Sequence, residues 1–280
     1  MFGSRGQVKT WQQIRDMERA GHIVAGMLGA VRAEIRAGVT TAELDAVAED
    51  FLNQAGGLSN FKGYYGYPAV ICASVNEEIV HGIPGGRVLE PGDIISIDGG
   101  CSVRGADGRR WHGDSAISAI VPPVPEDSEA LSSVTETALW TAIAALADSR
   151  YLNAVGDAVE SVVEAHPETP LDIVRDYVGH GIGTAMHEAP EVLNYRVRER
   201  GVRLKPGMVF AVEPMLTLGS AASHVLDDEW TVVTNDRSRA CQWEHTVAIL
   251  PDGVRVLTAL DAGAAGLARF GLTPAEIPAT

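Results

Sequence analysis

Between residues 10 and 37 apolar side chains recur at Ile14, Met17, Ile23, Val24, Met27 and Val31, a rough period of 3.6 that predicts a long helix. After Gly38 the run TTAELDAVAEDFLNQAGG predicts a second one. Thr40 and Glu43 fit a capping box at its start and Gly56 fits a C-terminal stop. The texture then changes. YPAVICASVNEEIVHGIPGG and DIISIDGG are rich in β-branched residues and broken by Pro and Gly, as strands and turns are. The proline-rich VPPVPEDS at 121–128 reads as a boundary. Beyond it the order restarts, with a long helical stretch over 126–149, a shorter one over 153–166, and then strands.

The restart is also visible residue by residue. LEPGDIISID (89–98) and LKPGMVFAVE (204–213) share Leu, Pro and Gly at the same spacing, an alternating apolar strand, and a carboxylate in the tenth position. This pattern implies an internal duplication, two similar halves about a pseudo-two-fold axis, with Asp98 and Glu213 facing each other across a central crevice. Each half offers a second acid, Asp114 in WHGDSAISAIV and Glu244 in QWEHTVAIL. In the first half ADG at 106–108 is a turn signal, and a hairpin centred on Asp107 would pair Asp98 with Ala116. Asp114 would then lie one diagonal step away on the same face, because an even offset preserves the side.

Charge makes that clustering costly. The 280-residue chain carries 22 basic and 37 acidic residues, a net charge of −15, which disfavours nucleic-acid binding in general. Its 46% hydrophobic content excludes a disordered chain. Cys72, Cys101 and Cys241 form no disulfide framework and no CxxC pair, so a reducing compartment is expected. The N-terminal stretch lacks the apolar segment of a signal peptide, no stretch is expected to reach transmembrane length, and the localisation expected is cytoplasmic. Two like charges about 4 Å apart repel by roughly 4 kcal/mol at an effective dielectric near 20. Four clustered carboxylates therefore call for cations, and two divalent ions about 3.5–4 Å apart would balance them and activate a shared water. Candidates for a nitrogen ligand are His180 and His187 in YVGHGIGTAMHEAP and His81 in VHGIPGG. Taken singly, an Asp at a strand end is usually a turn former and a His usually structural; the constellation is what points to a site. His112 and His245 read as structural, and His22, His166 and His224 as surface residues.

The segments GYPAVICASVNEEIVHGIP, GDIISID, WHGDSA, GHGIGTAMHEAP, LKPGMVFAVEPM and EWTVVTNDRSRACQWEHT, over roughly residues 10–258, together resemble type I methionine aminopeptidases of the bacterial kind. The resemblance implies the α+β pita-bread fold: two ααβ halves related by a pseudo-two-fold axis, with a curved antiparallel sheet covered by helices. Residues 1–260 would form a single catalytic domain, with halves at about 10–121 and 126–258. Residues 261–280 would be a loosely attached C-terminal tail. The activity implied is removal of the N-terminal methionine from nascent proteins with a small second residue, by attack of a metal-bridging hydroxide on the peptide carbonyl. Asp98 would chelate one ion, Asp114 and Glu244 would bridge both, and His180 and Glu213 would complete the other. The metal is expected to be Mn, Fe, Co or Zn.

By the same resemblance His81 and His187 would contact the substrate peptide bond and Glu213 would also shuttle the proton. Tyr64, Tyr67, Cys72, Met186 and Trp230 would line the methionine pocket, with Gln242 nearby. Met186 stands where the family commonly has an aromatic residue, although a flexible thioether can still line such a pocket. The hairpin between Asp98 and Asp114 is longer than usual and carries Arg104, Arg109 and Arg110, a candidate contact surface. The expected partners are N-terminal methionyl peptides, with the ribosome near the nascent-chain exit as a further candidate; no specific nucleic-acid sequence, no membrane, and a monomer. Three rivals are weaker. Proline-directed peptidases of this fold carry a large N-terminal domain, whereas about ten residues precede the first helix here. Type II methionine aminopeptidases carry a late insertion for which the short span from His180 to Glu213 leaves no room. A non-enzymatic scaffold would have lost ligands, and all five are present.

Overall fold

The apolar stripe of residues 10–37 becomes helix α1 (Trp11–Glu34) in the computed structural model, which describes residues 6–279. Its buried side, Ile14, Met17, Ala20, Val24, Met27, Leu28 and Val31, follows the helical period. Thr10 and Gln13 close a capping box at its start, a pairing the sequence reading passed over. Helix α2 (Thr41–Ala55) starts at the expected Thr40–Glu43 capping box and stops at Gly56, whose φ of 72° lies in the left-handed region. Helices α3 (Glu126–Asp148) and α4 (Ala154–Glu164) repeat the pair, and a short α5 (Ala264–Ala268) follows near the end.

In the first half, strand Ile94–Arg104 is the spine. It pairs antiparallel with Arg110–Ile120 along its whole length and with Ile71–Val75 on its other edge. Residues alternate across it: Ile95, Ile97, Cys101 and Val103 pack toward α1 and α2, which turns Ser96, Asp98 and Gly100 to the opposite face. The second half is a five-stranded antiparallel sheet in the order Gly253–Val256, His245–Leu250, Val209–Val212, Gly179–Gly181, Glu188–Val192. Leu131, Leu139 and Ile143 of α3 and Val159 of α4 share a core with Phe210, Val212, Val247 and Ile249 of that sheet.

The halves meet along a polar seam. Ala116 and Glu244 exchange backbone hydrogen bonds of 3.3 and 3.0 Å, the Ser115 hydroxyl donates to Glu244 O at 2.6 Å, and the Ser118 hydroxyl donates to Gln242 O at 2.8 Å. The Thr246 hydroxyl donates to Asp114 O at 2.8 Å. These bonds satisfy buried backbone groups just where the two sheets abut, and they hold strand Arg110–Ile120 against the strands of the second half.

Two expectations are corrected, and a third feature, the arginine hairpin, gains its anchoring. The segment after residue 260 is docked rather than loose: Leu267 is fully buried, Ala275 is 6% exposed, and Ala275 N–H donates to Val254 O at 2.9 Å. Ala262, Leu267 and Ala275 face the core, which the alanine- and glycine-rich composition concealed. Helix α3 is long and apolar enough to cross a membrane by length and composition, yet its apolar residues are spent on the core just described. The arginine hairpin is tied down at its tip, where Asp107 accepts from Trp111 Nε1 (3.1 Å), Arg109 Nε (3.0 Å) and Gln13 Nε2 (3.3 Å). Ala106 N–H donates to Asp16 on α1 at 3.0 Å, so the extra length of the hairpin lies against that helix.

Because the α2 capping box is solvent-exposed and remote from the crevice, Thr40→Ala should lower unfolding free energy by about 1 kcal/mol. Denaturant titration would check this, and an unchanged midpoint would remove the cap from the list of stabilising contacts.

Candidate metal centre

Strand register brings the acids together. Asp98 pairs with Ala116 and Gly100 with Asp114, the alignment expected for a hairpin centred on Asp107, so Asp98 and Asp114 share one face. Glu213 directly follows strand Val209–Val212, and Glu244 directly precedes His245–Leu250, whose first residue pairs with Val212. The central strand pair of the second half therefore ends in two acids side by side. His180, in the middle of Gly179–Gly181, pairs with Ala211 on the same sheet. Gly100 is needed beside them: a Cβ there would lie 2.5 Å from Asp114 Oδ1.

The tightest group is Asp114, His180 and Glu244, whose donor atoms all lie within 4.8 Å of one another. Glu213 Oε1 stands 3.5 Å from His180 Nε2. Gln242 joins the remaining acid, with Nε2 at 3.4 Å from Asp98 Oδ2 and 3.5 Å from Glu213 Oε2. The His180 Nδ1–H donates to Gly181 O at 3.0 Å, which leaves a bare lone pair on Nε2 facing a carboxylate. Two acceptors at that separation are compatible only with a proton or a cation between them.

Burial sharpens the problem. Asp114 and Glu244 are 3% and 2% exposed. Burial first, and then repulsion from neighbouring acids, holds the carboxyls of Asp114, Glu213 and Glu244 well above the usual range. Burial pushes Asp98 up to about 7, against the hydrogen bond from Gln242. Asp98 Oδ1, Asp114 Oδ1 and Glu244 Oε1 are all buried with no hydrogen-bond partner. Orphaned carboxylate oxygens lining one cavity with a bare imidazole nitrogen fit divalent metal ions.

All thirteen candidate residues line one cavity of about 460 Å³. Its apolar wall gathers Phe61, Tyr67, Cys72 and Met186, with Tyr64 and Trp230 packed against them. Tyr67 is fixed by donation to Ile71 O (3.0 Å) and Gly82 O (2.9 Å), and its ring meets Trp230 edge-on at 5.0 Å. Cys72 pairs with Asp98 in the sheet, so the wall and the acids share a strand pair. His187 packs on His180 with ring centroids 4.4 Å apart and is hydrogen-bonded through Nδ1 to the Tyr64 hydroxyl at 3.0 Å. His81 has a φ of 62°, uncommon for a residue other than glycine, and sits between Tyr177 and Trp230. Burial pushes His81 to about 4 and His180 to about 3, with His187 adding to both, and burial lowers His187 as well; all three are neutral at pH 7.

Phe61 and Tyr177 line the cavity without having been singled out from the sequence. Phe61 borders the aromatic run that holds Tyr64 and Tyr67, and Tyr177 lies three residues before His180, so proximity was the only available signal. The structural reading of two histidines agrees with the contacts. His112 Nδ1 bonds Asn60 Oδ1 at 2.8 Å, and His245 Nδ1 bonds the Thr258 hydroxyl at 2.9 Å beneath Trp140.

A family model for metallopeptidase family M24 matches residues 15–251. Methionine aminopeptidase 1 of Bacillus subtilis is 42% identical over 250 residues, 89% of this chain and 98% of that protein. Methionine aminopeptidase 1 of Mycobacterium tuberculosis is 45% identical over 246 residues, covering 86% and 91% respectively. A crystal structure of a methionine aminopeptidase from Thermotoga maritima superposes with a TM-score of 0.85 at 37% identity, covering 90% of this chain and 99% of that one.

Asp114→Asn should reduce co-purifying divalent metal at least several-fold by elemental analysis; undiminished metal would remove Asp114 from the centre. The metal-free proteins give a second reading. The carboxyl of Asp114 is raised in the fold, so its ionisation increasingly opposes folding as pH rises above its unfolded value. The metal-free variant should therefore gain melting temperature relative to metal-free wild type between pH 5 and pH 8, and a flat or falling difference would contradict the crowding.

Proposed function

The chain belongs to metallopeptidase family M24, and on that premise we propose that it is a methionine aminopeptidase with a dinuclear metal centre. The observation that carries the reading is the meeting of orphaned carboxylate oxygens from both halves at one end of a cavity walled by aromatic and sulfur-bearing side chains. Asp98 would hold one ion, Asp114 and Glu244 both, and His180 with Glu213 the other. Because these ligands come from both halves, the halves act as one catalytic unit. When bound, two such ions supply Lewis acidity toward the scissile carbonyl and lower the pKa of a shared water enough for attack near neutral pH.

The remaining work belongs to the protein. Tyr67, Cys72, Met186 and Trp230 receive the methionine side chain, and the flexible Met186 thioether suits a ligand of its own kind. With the Tyr64 hydroxyl as donor to His187 Nδ1, the imidazole proton would sit on Nε2 and serve as a donor for the substrate carbonyl. His81, neutral and held between two aromatic rings, supplies a second contact to the peptide bond. Glu213, whose raised pKa lets it carry a proton, takes one from the attacking water and returns it to the departing amine. A small second residue in the substrate is part of the same proposal. Three free and buried cysteines support a reducing, cytoplasmic setting, in which a monomer would act on nascent chains near the ribosomal exit.

Incubation of the metal-loaded protein with Met-Ala peptides and with Xaa-Pro peptides tests the assignment. Release of free methionine is expected; cleavage confined to the Xaa-Pro bond, or no cleavage by a metal-replete sample, would overturn it. His187→Ala should lower kcat by about 10²-fold, the scale of one lost transition-state donor, with metal content unchanged. Loss of the metal in that variant would instead recast His187 as a ligand.

A further inference from the structure

Lys9 lies just before the cap of α1, outside the motifs that define the metal centre, and is only 4% exposed. Its ammonium sits 3.0 Å from Glu188 Oε2, with side chains 3% and 7% exposed. Glu188 is the residue after His187 and two after Met186. Its other oxygen, Oε1, accepts from Thr184 N–H at 2.8 Å and from Ala185 N–H at 3.3 Å. Loop 183–188 is thus wrapped around the carboxylate of its own last residue, and Lys9 neutralises that carboxylate from a distant part of the chain.

Both ends of the arrangement are anchored. The Lys9 backbone N–H donates to Gly207 O at 2.7 Å, which fixes the lysine against the segment leading into strand Val209–Val212. His112 N–H donates to Gly183 O at 3.0 Å, which ties the start of the loop to the strand that carries Asp114. The fit is close: a Cβ on Gly183 would lie 2.6 Å from Glu188 Oε1 and 2.7 Å from Lys9 Cε. Neither Lys9 nor Glu188 lines the cavity, so the pair touches neither substrate nor metal. A buried ion pair often adds little net stability, and its best-attested use is to specify one arrangement over its alternatives.

We propose that the buried Lys9–Glu188 ion pair is a positioning device that holds loop 183–188 so that Met186 and His187 face the cavity. The roles of those two residues rest on the aminopeptidase reading; the hold on the loop does not. Breaking the pair strands a charge in the interior, and the loop escapes that penalty only by opening. His187 then loses its alignment with Tyr64 and Met186 its place in the wall.

The test uses the full chain loaded with divalent metal, as wild type, Lys9→Met and Lys9→Arg. In Lys9→Met, amide hydrogen exchange at Thr184 and Ala185 should accelerate at least 10-fold while the amides of α3 exchange as in wild type. The kcat/KM for a Met-Ala peptide should fall about 10-fold or more at unchanged metal content, and Lys9→Arg should recover most of both. Should Lys9→Met not fold, Glu188→Gln removes the charge while keeping an acceptor oxygen, and the same two losses are expected. Exchange within twofold of wild type overturns the proposal, and so does faster exchange with kcat/KM kept within twofold. A wild type that releases no methionine defeats the aminopeptidase reading alone, because the exchange measurement still decides whether the pair holds the loop.

Discussion

Repulsion among buried carboxylates is the constraint around which this molecule is organised. Asp98, Asp114, Glu213 and Glu244 are carried by strands whose other faces are packed into two hydrophobic cores, so none can retreat to solvent without dismantling a sheet. Burial raises the pKa of all four, charge repulsion adds to it at Asp114, Glu213 and Glu244, and three of their oxygens find no protein donor. A fold driven by its own contacts alone would not gather such groups. Divalent cations would convert the arrangement from a liability into a binding site, and on the proposed function the same cations would furnish the Lewis acid for peptide cleavage.

The scaffold keeps that centre in place with polar contacts as much as with its cores. Along the seam between the halves, the hydroxyls of Ser115, Ser118 and Thr246 donate to the backbone carbonyls of Glu244, Gln242 and Asp114. These contacts fix the relative heights of the two acid-bearing strand pairs. On the substrate side the cavity wall is built from a separate aromatic cluster, while His187 and Met186 arrive on a loop that depends on a buried lysine and glutamate for its shape. The proposed metal ligands thus sit on or directly beside regular strands, and the proposed substrate contacts His187 and Met186 on a loop pinned through long-range polar bonds.

How much could be read beforehand depended on the range of the interaction. The α2 boundaries were legible because a capping box and a left-handed glycine act within a few residues. The hairpin register was legible because a turn signal and a two-residue alternation leave a single alignment that puts Asp98 and Asp114 on one face. The tail was misjudged: Leu267 and Ala275 gain their burial from packing that a small-residue composition does not announce. The anchoring of the arginine hairpin's tip was not legible, because Gln13 and Asp16, its partners, lie some ninety positions away in sequence. Phe61 and Tyr177 are cavity residues only by virtue of where their neighbours fold.

By itself, then, the order of residues determined the two ααβ halves, the identity of the four acids and the histidines beside them, and the need for compensating positive charge. Each follows from periodicity, capping, a repeated motif or the crowding of like charges, which are properties of short stretches or of their comparison. Only the tertiary structure decided which nitrogen of His180 is left bare, which carboxylate oxygens lack partners, and that Lys9 neutralises Glu188 across 179 positions of chain. Those outcomes depend on ångström-scale distances between groups that approach one another only when both halves have closed, and no local pattern encodes such distances.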